Sequence, residues 1–224
     1  MRTLFVVATP IGNLSDLSER AKDTLVSVDV VLCEDTRVTK KLLTHFNIAV
    51  PTLSYHQHSA QTKTTKIFDL FEEGKSLALV TDAGTPGISD PGGKLIQDLV
   101  EHFGEGLKIV PIPGVSAIAT ILSVAGFPAD EFLFLGFPPH KKGRQTYFDR
   151  VAATDSTVIF YESTHRILKT LDELAKRSPE REIVVGRELT KMYETIYRGT
   201  ALNVMKQLAT TSIKGEFVVV LRSL

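Results

Sequence analysis

The chain has 224 residues, 43% hydrophobic and 23% charged, and 26 basic residues balance 26 acidic ones for a formal net charge of zero. The composition is globular and the length suits one large α/β domain or two small ones, while a neutral chain has no bulk charge for gripping a polyanion, so any nucleic-acid contact must come from local patches. A single cysteine, Cys33, excludes a disulfide framework and a cysteine-built metal site, and it suits a reducing cytosol.

From Met1-Arg2-Thr3 the chain runs directly into an apolar strand at 4–8. No long apolar stretch ends in a small-residue cleavage site, so no signal peptide is expected. No apolar run approaches the roughly 18 residues that span a bilayer, so no membrane partner is expected either. Next comes an amphipathic segment, 16–27, with Asp16 as cap and Glu19 three residues on, then apolar Leu17, Ala21 and Leu25. Further strands are expected at 28–33, 77–81, 108–112, 132–137, 157–161, 183–185 and 217–221, each continuously apolar as in strands buried on both faces. Helical periodicity occupies 37–46, 62–73, 93–103 and 164–176. Pro111-Ile112-Pro113-Gly114 stops a strand before the small, apolar segment 115–125, which places a boundary between a domain of residues 1–113 and one of 114–224. The chain is an α/β protein. Residues 192–198 and 217–221 suggest antiparallel pairing in the second half.

Two nucleotide motifs fail. Gly104 and Gly106 begin a G-x-G-x-x-G pattern, but Ile109 stands where the third glycine belongs; Gly93-Lys94 is followed by Leu95, and Ile88 occupies the first glycine position of a Walker A loop. Polar clusters instead follow nearly every strand. The densest is Thr81-Asp82-Ala83-Gly84-Thr85-Pro86-Gly87-Ile88-Ser89-Asp90-Pro91-Gly92-Gly93, longer than the two to six residues that suffice for an ordinary strand-to-helix turn. Glycine there lets backbone approach a flat ligand closely. Ala8-Thr9-Pro10-Ile11-Gly12-Asn13 follows the first strand in the same way, and Cys33-Glu34-Asp35-Thr36-Arg37 follows the second. The plain alternative for the last is helix capping by Thr36 with acids favouring the helix N-terminus. His56 and His58 could face one way on a strand, but without further ligands no metal site is expected. Glu34, Asp35 and His56 are the candidate proton acceptors. His140-Lys141-Lys142-Gly143-Arg144, after two prolines, is the clearest local basic cluster, and Arg37 and Arg166 stand near the other motifs.

TPIGNLSDLSERA, CEDTR, SYHQHS, TDAGTPGISDPG, PGVSAIATILSVAGFP, FYESTHR, GRELTK and KGEF occur in that order along essentially the whole chain. Together they resemble the ribosomal RNA methyltransferases of the tetrapyrrole methylase-like, class III, group. The resemblance implies two α/β domains, the first with a mostly parallel sheet and the second with a mixed one, with S-adenosylmethionine between them. It also implies a cytoplasmic homodimer that methylates the 2′-hydroxyl of a cytidine in 16S ribosomal RNA, within the small subunit. Carried over by motif, the cofactor residues are Pro10, Asp82, Gly84, Thr85, Gly87, Ser116, Ala117, Tyr161 and Glu162, and the RNA residues are Arg37, Lys141, Lys142, Arg144 and Arg166. Members of the group continue into a small C-terminal extension, whereas this chain ends at Leu224, just after its last strand. Two alternative readings stand beside this one: a class III methyltransferase acting on a tetrapyrrole, another small molecule or a protein, against which CEDTR and the basic loop near Lys141 argue, and a catalytically inactive RNA-binding assembly factor.

Overall fold

A computed structural model describes residues 2–55 and 61–224. The chain divides into two compact units, Met1–Ser116 and Ala117–Leu224.

In the first unit, β1 (Arg2–Val7), α1 (Glu19–Ser27), β2 (Val30–Cys33), α2 (Thr36–His45), β3 (Thr52–Ser54), α3 (Gln61–Glu72), β4 (Ser76–Leu79), α4 (Gly92–Phe103) and β5 (Leu107–Ile112) follow one another. The strands form one sheet in the order β3-β2-β4-β1-β5, and every pairing is parallel. Alternation along the strands explains its two covered faces. Val7, Val31 and Ala78 pack with Leu17, Ala21 and Leu25 of the α1 side, whereas Leu4, Leu32, Leu77 and Leu79 pack with Ile67, Phe71, Leu95 and Leu99 on the other. With both faces apolar, polar groups of this sheet can collect only at its ends. The chain leaves β1 toward β2 and leaves β4 toward β5, in opposite directions along the sheet, although β1 and β4 are neighbours. Such a reversal opens a crevice at the carboxyl ends of the strands.

The second unit holds α5 (Ala117–Ala125), β6 (Phe132–Phe134), α6 (Arg144–Ala153), β7 (Thr157–Ser163), α7 (Ile167–Arg177), β8 (Glu182–Arg187), β9 (Thr195–Thr200), α8 (Ala201–Ala209) and β10 (Glu216–Leu221). Its sheet runs β6-β7-β10-β8-β9, parallel at β6-β7 and antiparallel elsewhere, the mixed sheet expected from the resemblance. Phe148, Val151, Phe160, Leu171, Val204, Phe217 and Val219 form the core on one face.

Several sequence expectations need correction. Asp16 is exposed and closes a short turn, Leu14–Asp16; Ser18 caps α1 instead, its hydroxyl accepting from Ala21 N at 3.1 Å. The cap of α2 is Asp35 rather than Thr36, with its carboxylate accepting from Arg37 N at 2.8 Å. The strand expected to reach residue 137 ends at Phe134, and Gly136, at φ 62°, turns the chain out of the ladder. β3 and α8 had no clear sequence signal, because three residues are too few for periodicity and α8 follows β9 with no intervening turn.

Tyr147 Oη in α6 is buried and has no hydrogen-bond partner among the described residues. Burial, reinforced by the Glu162 carboxylate, pushes its phenol pKa well above the ordinary value. Leaving a buried hydroxyl unpaired costs about 1–3 kcal/mol. Tyr147→Phe is therefore expected to stabilise the protein by about 1 kcal/mol, seen as a higher urea midpoint with an unchanged slope of unfolding free energy.

Candidate functional site

Three loops meet at the carboxyl end of the first sheet. After β1, Thr9 N donates to Gly84 O at 2.9 Å and Gly84 N donates back to Thr9 O at 3.1 Å, a small antiparallel bridge between the loops that follow two parallel strands. The Thr9 hydroxyl adds bonds to Thr81 O at 3.1 Å and Gly84 O at 3.4 Å. The loop after β5 joins them through the Thr85 hydroxyl, which donates to Val115 O at 3.0 Å. Gly114 sits against Ala8, where an added Cβ would stand 3.0 Å from the Ala8 Cβ.

Gly84 and Gly87 both adopt φ +88°, a left-handed conformation open to glycine and strained for other residues. Asp90 holds the far side of this loop. Its two carboxylate oxygens accept from Gly87 N at 2.9 Å each, and Oδ1 also accepts from Gly92 N at 2.7 Å, at the head of α4. Asp82 Oδ1 accepts from Asp35 N at 3.0 Å, which ties the end of β4 to the end of β2. Cys33, Glu34, Tyr55, Thr81 and Asp90 line a small indentation beside this link.

Six expected residues therefore gather along one edge of this sheet: Pro10, Glu34, Asp35, Asp82, Gly84 and Thr85, with Gly87 at the rim and Ser116 at the end of the unit. Pro10 and Gly84 are buried, Asp82 and Gly87 exposed, and Glu34 half-buried. Arg37 is solvent-facing, with its guanidinium forked onto Asp35 (Nε to Oδ1 at 3.1 Å, Nη2 to Oδ2 at 2.6 Å). His56 lies outside the described residues. Among the described residues no group of three or more His, Cys, Asp or Glu side chains could hold a metal ion.

The second unit contains the rest. Ala117 opens α5. Tyr161 packs edge-on against Phe134 and tilted against Phe137. Lys141 and Lys142 are exposed. Three residues sit differently from the expectation. Glu162 is 1% exposed and Arg144 4% exposed, so both side chains are buried. Arg166 is largely buried as well, with its Nε 2.9 Å from Glu162 Oε1. A guanidinium committed to a buried carboxylate is withdrawn from solution contacts. Sequence reasoning passed over Thr9, Asp90 and Thr170 as individual residues. Asp90 had a legible signal, an aspartate before Pro-Gly-Gly at a helix start, where such side chains bond to backbone two residues on. Thr170, in mid-helix, had none.

Residues 3–204 match the family model of the Tetrapyrrole (Corrin/Porphyrin) Methylases. The chain belongs to the tetrapyrrole methylase family. Its relatives include proteins named ribosomal RNA small subunit methyltransferase I. The one from Halalkalibacterium halodurans is 44% identical over 219 residues, 97% of this chain and 75% of that protein. The one from Vibrio cholerae is 49% identical over 195 residues, 86% of this chain and 67% of that protein. The Bacillus subtilis protein is 42% identical over 221 residues, 98% of this chain and 75% of its own length. Solved structures with the same fold include a cobalt precorrin-4 methyltransferase of cobalamin biosynthesis, 19% identical, with a TM-score of 0.71 over 98% of this chain and 94% of that one. A diphthine synthase is 14% identical, with a TM-score of 0.70 over 99% and 90%. These neighbours make the fold that of the class III methyltransferases.

The environments of the acids after β2 constrain what proton chemistry they can do. Hydrogen bonds from the Arg37 side chain, then from its backbone N–H, hold the Asp35 carboxyl down at a pKa of about 2. With its oxygens engaged and its basicity so low, Asp35 is a weak proton acceptor. Burial pushes the Cys33 thiol up, so it stays protonated and unreactive. Because the Asp35 pKa is lowered by folding, its pairing contributes above the ordinary aspartate value of about 3.9 and fades only as pH falls through the folded one. The Asp35 carboxyl carbon signal is therefore expected to titrate near pH 2 in the folded protein and to move up in Arg37→Ala while staying below the ordinary range, because the backbone N–H donors of residues 37 and 38 remain.

Proposed function

We propose that this chain transfers the methyl group of S-adenosylmethionine to small-subunit ribosomal RNA. The observation that carries this reading is the 41–49% identity shared across nearly the whole chain with proteins named ribosomal RNA small subunit methyltransferase I. The reading extends to a cytidine 2′-hydroxyl of 16S ribosomal RNA as acceptor, presented within the small subunit, and to a cytoplasmic homodimer. Among the described residues, no helix is long and apolar enough to cross a membrane.

The loops at the edge of the first sheet suit the cofactor. At Gly84 the backbone is left-handed, and an added Cβ would already touch Ile11 Cγ2 at 3.4 Å and Val115 O at 3.8 Å, so a larger side chain would push these loops apart. Pro10, Asp82, Gly84, Thr85 and Gly87, with Ser116, Ala117 and Tyr161, are the residues proposed to hold it. Because the Thr85 hydroxyl proton is donated to Val115 O, Thr85 has its backbone and the acceptor side of its hydroxyl to offer. When bound, S-adenosylmethionine supplies an electrophilic sulfonium methyl. The chain's task is then to hold the acceptor hydroxyl in line, and such positioning is worth on the order of several kcal/mol. Glu34 is the better-placed carboxylate for the hydroxyl proton, given the low basicity of Asp35. Exposed Arg37, Lys141 and Lys142 are proposed to meet RNA phosphates. The structural neighbours named for small-molecule or diphthine chemistry share the fold alone at 14–19% identity and do not favour the alternative acceptors.

Calorimetric titration with S-adenosylmethionine, followed by transfer of labelled methyl to isolated small subunits with a tetrapyrrole in parallel, tests the reading. Binding together with label in ribosomal RNA is expected. Label in the tetrapyrrole alone, or no cofactor binding, would overturn it. Gly84→Val places a branched side chain at φ +88° against Ile11 and Val115, distorting the loop, and is expected to weaken cofactor binding at least a hundredfold while thermal unfolding stays cooperative.

A further inference from the structure

The buried charges of the second unit form one connected group. The Glu162 side chain on β7 has no exposed surface. Oε2 accepts from the Thr170 hydroxyl at 2.5 Å, and Oε1 accepts from Ser163 N at 2.8 Å and faces Arg166 Nε at 2.9 Å. The Thr170 oxygen in turn accepts from Arg144 Nη2 at 2.7 Å, and Arg144 Nη1 lies 3.9 Å from Glu162 Oε2. Two guanidiniums thus share one carboxylate. Each guanidinium also reaches out of the group to a backbone carbonyl. Arg166 Nη1 donates to Pro138 O at 2.8 Å, and Arg144 Nη1 donates to Pro139 O at 3.2 Å.

Those carbonyls are the root of the loop that carries exposed His140, Lys141 and Lys142. Consecutive prolines have no N–H to join a ladder. Gly136 and Gly143, at φ 62° and 83°, bracket the loop with two turns out of regular structure. Beyond the backbone bond from Tyr161 N to Gly136 O at 2.9 Å, the arginine-to-proline bonds tie the loop to the buried group. Replacing buried ion pairs by apolar side chains is often neutral or stabilising, so stability alone is a poor reason for placing two guanidiniums and a carboxylate in this core. The group's excess positive charge also sits beneath the loop that bears two lysines, where it adds to the attraction for an anion.

We propose that Glu162, acting through Arg144, Arg166 and Thr170, is a positioning residue that holds loop 138–143 in the shape in which Lys141 and Lys142 engage the phosphate backbone of the RNA substrate. This rests on the RNA-methylating reading above. Glu162 touches neither cofactor nor acceptor in this scheme; its effect reaches the RNA only through the loop.

The test uses the whole protein with Thr170→Val, Thr170→Ser, Glu162→Gln, Lys141→Ala/Lys142→Ala, and Thr170→Val combined with the lysine pair. Three quantities are followed: amide exchange at residues 140–143, cofactor affinity, and small-subunit binding at several salt concentrations. Thr170→Val and Glu162→Gln are expected to speed loop exchange and weaken subunit binding about tenfold with cofactor affinity unchanged, and Thr170→Ser to restore both. Should Glu162→Gln fail to fold, the two Thr170 variants carry the comparison. The lysine pair is expected to lower the salt slope by roughly two, near one per lost phosphate contact. Adding Thr170→Val to it is expected to cost nothing further, because both changes act through one loop. Additive losses, or loop exchange unaltered by Thr170→Val and Glu162→Gln, would overturn the proposal and leave a structural ion cluster. Faster loop exchange with subunit binding untouched by any variant would overturn the role in RNA binding, while methyl transfer by the unaltered protein would still stand.

Discussion

The reciprocal hydrogen bonds between Thr9 and Gly84 are what the rest of the first unit's site depends on. β1 and β4 are parallel neighbours, so their loops leave side by side, yet the chain then departs toward opposite edges of the sheet. Without a link the two loops would diverge. The bridge pins them, the Thr9 hydroxyl fastens the same corner to Thr81 O, and Thr85 extends the connection to the loop after β5. Glycine at position 84 follows from this geometry. The backbone must turn left-handed while its own N–H and C=O both face Thr9, and Ile11 and Val115 close on it from the other side.

Polar chemistry is displaced to that edge because the sheet has nowhere else for it. Leu4, Leu32, Leu77 and Leu79 are committed to one face and Val7, Val31 and Ala78 to the other. Asp82 and Asp35 emerge where strands end, and their contact, carboxylate to backbone N–H, is electrostatically sound only because one partner is a donor. Asp35 also caps α2 and accepts the fork of Arg37. A carboxylate with both of these duties, on a residue whose backbone N–H is also held by Asp82, is fixed in place and weakly basic, which makes it an organiser of the rim better than a catalyst.

The second unit handles charge in the opposite way, by burying it. Motif resemblance placed Glu162 on the cofactor and Arg144 and Arg166 on RNA, as though each charged residue in a motif faced outward. In the structure the three meet one another, with Thr170 between them, and what reaches the surface from this part of the chain is Lys141 and Lys142. A charged residue placed for internal order and one placed for a ligand look the same in a string of residues.

The sequence by itself determined the α/β class, the positions of most strands, the polar clusters after them and the family. All of these follow from local quantities: apolar runs, turn residues and motif spacing within a few positions. Tertiary structure alone decided which of the clusters touch. The Thr9–Gly84 bridge spans 75 residues by number and the Arg144–Thr170 bond spans 26, separations at which no periodicity carries information. It also decided which charged side chains are free. A lysine in a proline-flanked loop and an arginine at the start of the next helix look alike in sequence, but α6 turns Arg144 inward onto Thr170 and leaves Lys141 and Lys142 in solvent. Burial depends on what packs against a residue, and that is settled only when the whole sheet and its helices have closed.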